Sequence, residues 1–449
     1  MPLSLANQTL LASADRGATT NALRLVSRQW PRNRWLFPWN RYGTKCLERL
    51  KQDTTPPSRV KKGYLRQYIA ASAATHCLDG WSYLGRSLQC CLRGDVDAAR
   101  HLGYYAELRA AMSLLASEGI GAFDKKHFVL DLHGGCSLVA ASGTHTFVWE
   151  ALDYWASQPK ASDLVLDVVV AGGQRLRAWV DLFSSTGTVA TILARNWLKQ
   201  WGLDLLRMTE DRNSRNVASY RPTAFTSPRP DVVEDSVDFV RQLWLMCEPT
   251  LSSKFRWLDV YLLRSSLCAL FGSTHSFTHR DPTGRNLYKM AVDSTIAGLS
   301  PQDWTPKQWR AFLTERKLRR LPRILKEASG TLEPADRGHE KQVISRATLL
   351  LRIATGACEQ MLKSVPAFTP SQLDFWRVAV GEDRCLWAPG IAPSTPDLWT
   401  DIQVALNDLE VWRTGNASNR CYASLWTDQA APAIAMGSCE RICLWGLGL

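Results

Sequence analysis

No CxxC pair, no HExxH and no G-x-S-x-G occurs anywhere in the 449 residues. The first absence leaves the twelve cysteines without zinc-knuckle spacing: Cys90 and Cys91 are adjacent, Cys439 and Cys443 stand four apart, and the rest are scattered. The second excludes a zincin helix. The third removes the nucleophile elbow that an α/β-hydrolase needs, so FVLDLHGG at 128–135, which looks like that fold's strand and oxyanion loop, carries no hydrolase reading. No run of about 18 apolar residues is present to span a bilayer. Asp15 and Arg16 interrupt the early apolar stretch, so no secretory signal is read. These absences predict a cytoplasmic protein with reduced thiols, no membrane partner, no metal site and no cofactor.

Acidic residues are scarce at one end only. Residues 1–70 hold thirteen Lys and Arg against three Asp and Glu, a balance of +10, while the remaining 379 residues net only +2. The stretch RLVSRQWPRNRWLFPWNR, 24–41, has five Arg and no acid, interleaved with Trp30, Trp35, Phe37 and Trp39. Cations alternating with flat rings are the composition of a surface that grips phosphates and stacks bases. The expected nucleic-acid-binding set is Arg28, Arg32, Arg34, Trp35, Arg41, Lys61, Lys62 and Arg66. The same composition serves a subunit-docking end, because Arg stems also pack over Trp in ordinary contacts.

What is abundant is helix-forming sequence. Apolar residues make up 45% and charged residues 21%, enough to fold. In GDVDAARHLGYYAELRAAMSLLASEGIG, 94–121, Asp95 or Asp97 caps a helix and Gly119 stops it. Ala99, Gly103, Ala106, Ala110, Ser113 and Ser117 recur at steps of four and three, a smooth stripe that lets another helix approach closely. Further helices are predicted over 64–91, 144–155, 176–183, 189–206, 237–247, 255–271, 301–313, 343–362 and 402–411. Leu164–Val170 is the best strand candidate, with Gly172 and Gly173 placed to turn it back. Residues 1–23 read as a loose start, and the apolar tail 443–449 as a segment that docks on the body or a partner subunit. The fold class is mainly α, a multi-helix bundle with at most a small β element near 164–170. The boundaries drawn are a basic Trp/Arg-rich segment at 1–58, helical domains at 59–225 and 226–340, and a C-terminal helix with a Trp-rich irregular region at 341–449.

Among the histidines, His127, His133 and His145 fall close together and His275 and His279 stand four apart, but neither spacing matches a common metal pattern. Solvated or hydrogen-bonded structural roles are the plainer expectation.

YYAELRAAMSLL, 104–115, together with Arg215-Asn216-Val217-Ala218-Ser219-Tyr220, resembles the HEPN superfamily of prokaryotic helical domains. The first stretch is similar to that family's Tyr- and Ala-rich core helix. The second begins like its Arg-polar motif, with Tyr220 at the first place where the motif His stands. The resemblance covers about 130 residues and implies a dimerising helical bundle, of the kind found in defence or toxin systems, whose motif Arg faces an RNA phosphate. It implies Arg215, Asn216 and Tyr220 as catalytic residues of a metal-independent ribonuclease. No Arg in the chain has a His five to seven positions later. Cleavage needs a group near neutral pKa to move the 2′-hydroxyl proton, and Tyr, near 10, is poorly matched. Binding of RNA or DNA is therefore expected ahead of cleavage. A non-catalytic subunit that docks a protein partner or a second copy through its Trp-rich ends stands beside it.

Overall fold

The computed structural model describes residues 3–56, 58–183, 230–274, 282–315, 321–329, 339–390, 394–415 and 420–449. The N-terminal part comprises α1 (Leu5–Ala12), α2 (Arg16–Val26), a 3-10 turn (Ser27–Arg32), α3 (Cys46–Asp53), α4 (Lys62–Cys91) and α5 (Val96–Ser117). A three-stranded antiparallel meander follows: β1 (Ile120–Gly121), β2 (Lys126–Leu130) and β3 (Cys136–Ala140), with Phe128 opposite Leu138. Then come α6 (Thr144–Ala156), α7 (Pro159–Val168), the hairpin β4 (Val170–Ala171) and β5 (Gln174–Arg175), and α8 (Leu176–Phe183). The later helices are α9 (Val233–Met246), α10 (Arg256–Thr274), α11 (Pro282–Leu299), α12 (Pro306–Thr314), α13 (Arg323–Ser329), α14 (His339–Lys363) and α15 (Thr395–Thr414). Three short ones close the chain: α16 (Tyr422–Asp428), α17 (Ala430–Ala435) and α18 (Glu440–Leu447). The fold is mainly α, as expected.

Helix α5 starts where Asp95 accepts from the Ala98 N–H at 3.0 Å and ends ahead of Gly119 at φ +90°. All six small residues of its stripe are buried. It packs between α4 and α14. A Cβ on Gly103 would stand 3.3 Å from Val343 Cγ1, and one on Gly80 of α4 would stand 2.6 Å from Leu351 Cδ2 and 3.3 Å from the Ala106 carbonyl, so at both places glycine lets the neighbouring helices come close. The serines seal the contact: Ser113 donates to Ala73 O at 2.7 Å and Ser87 to Ala99 O at 2.6 Å. Each such buried bond adds about 1 kcal/mol. Trp81, fully buried, donates to Thr355 Oγ1 of α14 at 2.9 Å.

Three elements differ from expectation. The start expected to be loose holds two helices, α1 and α2, capped by Ser4 and Asp15, with Ala18, Ala22, Leu23 and Val26 buried at helical spacing. Most of the strand expected over Leu164–Val170 is the second half of α7; the chain turns extended at Val169, and Val170–Ala171 pairs as a strand. Pro159 in the first turn, a favoured helix start, decides a short apolar run that periodicity leaves ambiguous. The turn back at Gly172 and Gly173 does occur, with φ of +58° and +74°, the two left-handed corners of a type I′ hairpin. The β meander lies instead at 120–140. The tail docks on the body: α18 packs on α14 and α4, and its residues are buried from Glu440 to Leu447. Buried apolar residues from Leu3 to Leu449 form one connected core.

Candidate nucleic-acid interface

The basic segment is not loose. Trp30 is buried, and Asn33, left-handed at φ +54°, ends the 3-10 turn that carries it. The chain then runs along α4 against its direction. Trp35 Nε1 donates to Ala71 O at 3.0 Å, Asn40 Nδ2 to Tyr64 O at 3.0 Å, and the Lys61 N–H to Tyr42 Oη at 3.0 Å. Ala71 to Lys61 is ten helical residues, about 15 Å. Residues 35–42 are thereby laid along the first part of α4, from the 3-10 turn that carries Arg28 and Arg32 to the helix start that carries Lys61 and Lys62.

Two members of the expected set are used internally. Arg41 makes two hydrogen bonds of 2.6 Å to Asp53, whose carboxylate also accepts from Tyr42 Oη at 2.9 Å. That guanidinium first, and the hydroxyl with it, hold the Asp53 carboxyl below its usual range, while burial pushes the Tyr42 phenol up to about 12. Trp35 is half-buried, stacked on Trp30 with ring centroids 5.5 Å apart and edged by Trp376 at 4.6 Å. The ring that faces solvent is Trp39, 58% exposed, which sequence reading did not single out.

Arg28, Arg32, Arg34, Lys61 and Lys62 are exposed, and none forms an ion pair among the described residues. Each of the three acids in residues 1–70 is occupied: Asp15 caps α2, Glu48 pairs with Lys45 at 3.4 Å, and Asp53 holds Arg41. Lys62 and Arg66, one turn apart on α4, face the β2–β3 turn. There the Arg66 guanidinium lies against Gly134, where a Cβ would come within 3.0 Å of it. Burial raises the neighbouring Cys136 thiol to about 12 despite both cations.

A second polar cluster gathers on α5. Tyr104 Oη and His145 Nδ1 of α6 are 2.9 Å apart, their rings stacked, and Tyr105 touches both. One turn on, buried Glu107 meets Arg346 Nε of α14 at 3.5 Å. Arg109 instead reaches His76 Nδ1 at 2.8 Å, and burial first, then this cation, depress that imidazole to about 3. His127 is buried in the meander, 3.7 Å from the Phe147 ring centroid, accepting from the Phe123 N–H and bonded to Ser142 O; burial lowers it to about 4. His133 is exposed on the β2–β3 turn. Among the described residues no group of three or more His, Cys, Asp or Glu is arranged to hold a metal, and no helix is long and apolar enough to cross a membrane.

Arg215, Asn216 and Tyr220 lie outside the described residues, as do His275, His279 and the helix expected over 189–206. No family model matches the chain, and comparison with curated proteins and with solved structures found no match.

Proposed function

We propose that the protein binds nucleic acid through the flank of α4, with Arg28, Arg32, Arg34, Lys61, Lys62 and Arg66 meeting the phosphates. The observation that carries this reading is the bookkeeping of charge: Asp15 caps α2, Asp53 is held by Arg41 and Glu48 is paired at the surface with Lys45, while exposed Arg28, Arg32, Arg34, Lys61 and Lys62 form no ion pair among the described residues. Such a strip attracts a polyanion and releases its counterions on contact. All twelve cysteines are free, which fits a reducing cytosol. Filter binding of an RNA and a DNA of random sequence, titrated against salt, tests it. Affinity falling steeply with log salt is expected; no retention at 20 mM salt, or a flat response, overturns it.

A ribonuclease reading rests on the HEPN resemblance of Arg215, Asn216 and Tyr220, which lie outside the described residues. Incubation with RNA beside Arg215→Ala tests it, and equal cleavage by both proteins excludes that site.

A further inference from the structure

The exposure of Trp39 is unusual for its segment. Trp30 is buried and Trp35 half-buried, each fixed by ring contacts. Among the described residues the ring that Trp39 meets is Phe37, at 5.2 Å and a tilt of 52°. Its backbone is nonetheless pinned. The Asn40 N–H closes a turn on Phe37 O at 2.9 Å, which places Pro38 and Trp39 at the two corners, and proline presets the first of them. The Asn40 side chain then ties the turn to Tyr64 O and accepts from the Tyr42 N–H at 3.0 Å. A large flat ring is thus held out to solvent by a turn anchored at Tyr64 of α4, in the chain between the cations of 28–34 and those of 61–66.

We propose that this face takes single-stranded nucleic acid, with an unpaired base stacked on Trp39 while the flanking cations follow the backbone; this rests on the nucleic-acid reading above. A duplex buries its base faces within its own stack, so an outward indole has nothing there to meet. A single strand offers a ring every nucleotide, and stacking on an aromatic side chain is sequence-tolerant. An anionic membrane shares the charge, but insertion needs an apolar helix face, and here one ring stands among cations.

The test uses the full chain with four probes: fluorescein-labelled 20-nucleotide oligo(U) and oligo(dT), a 20-base-pair duplex, and phosphatidylserine vesicles, all at one salt concentration. Expected is tighter binding of one or both single strands than of the duplex by at least tenfold. Trp39→Ala should weaken single-strand binding by about 5- to 100-fold, leave duplex binding within twofold, and leave the thermal midpoint unchanged because the ring is exposed. Where the Trp39→Ala loss is seen, oligo(U) favoured over oligo(dT) marks RNA as the preferred strand and the reverse marks DNA. Equal affinity for duplex and single strands, or a Trp39→Ala protein that binds single strands as well as the wild type, overturns the stacking proposal while leaving the nucleic-acid reading in place. Vesicle binding that depends on Trp39, with no oligonucleotide bound, overturns both.

Discussion

Arg352 of α14 grips Asp259 of α10 through two hydrogen bonds of 2.7 Å, and both side chains are buried. The same guanidinium donates to Val168 O at the end of α7, and the Val170 N–H donates to Asp259 Oδ2 at 3.0 Å. Burial works to raise the Asp259 carboxyl; Arg352 and the backbone N–H oppose it. One ion pair therefore ties α7, β4 and α10 to α14. Arg352→Met should cost about 3–5 kcal/mol, because it strands a buried carboxylate. Asp259→Leu should cost a similar amount, and the double variant less than the sum. Urea unfolding of the four proteins measures the coupling, and a coupling near zero would show that the pair is not what holds these elements.

Two glycines of α4 make opposite forecasts. A Cβ on Gly85 would fall onto the Gly437 carbonyl, where the α17–α18 junction crosses the helix, whereas nothing lies within 4 Å of a Cβ on Gly63. Gly63→Ala should stabilise by up to about 1 kcal/mol, the helix preference of alanine over glycine. Gly85→Ala should destabilise by about 1–3 kcal/mol, since backbone cannot move aside as a side chain does. Thermal midpoints that shift in the same direction for both would contradict the packing of the tail on α4.

His127 makes the fold sensitive to mild acid. The Phe123 N–H points at Nδ1, 3.2 Å away, so the ring proton sits on Nε2 and donates to Ser142 O at 2.8 Å. A second proton on Nδ1 would break the Phe123 bond in a buried site. The folded pKa is about 4 against an ordinary 6.5, so the unfolded chain takes up the proton first. Stability from this group is complete above pH 6.5 and is lost as pH falls from 6.5 toward 4, by an amount on the order of 2–3 kcal/mol. His76, depressed to about 3, adds a fall of the same sign. The urea midpoint should drop between pH 7 and pH 5, and drop less in His127→Gln. Identical slopes for the two proteins would remove His127 from the account.

Much of the architecture was legible because its signals are local. The cap at Asp95, the stop at Gly119 and the small-residue stripe of α5 all lie within one helix, so spacing alone reveals them. Helix α2 escaped notice because Leu23 and Val26 are the only strongly apolar members of its inward stripe, beside Ala18, Thr19 and Ala22, and α7 because Leu164, Val165, Leu166 and Val168 form a Val- and Leu-rich run too short for periodicity to assign. In the candidate interface the types of residue were readable and their availability was not. Whether Arg41 is free depends on Asp53, twelve positions away, and whether Trp35 is free depends on Trp30, Ala71 and Trp376. Those partners are chosen by tertiary packing, which no window of sequence contains. Trp39 was marked only by the proline before it.

This difference in availability is itself testable, because it separates two arginines that look alike in the sequence. Arg32 is exposed and makes no ion pair among the described residues, whereas Arg41 is locked onto Asp53 and beside buried Tyr42. Neutralising a cation that meets a phosphate removes one counterion-release event, so Arg32→Ala should reduce the slope of log affinity against log salt by about 0.7–0.9. Its urea midpoint should stay at the wild-type value, since an exposed unpaired side chain contributes little to folding. Arg41→Ala should do the reverse: the midpoint falls, because Asp53 is left buried with only a hydroxyl for company, and the slope changes by less than for Arg32→Ala. Comparing the two variants on one oligonucleotide across five salt concentrations decides the matter. If Arg41→Ala flattens the salt response as much as Arg32→Ala while folding as stably as the wild type, the ion pair opens in the complex and Arg41 belongs with the phosphate-facing cations after all.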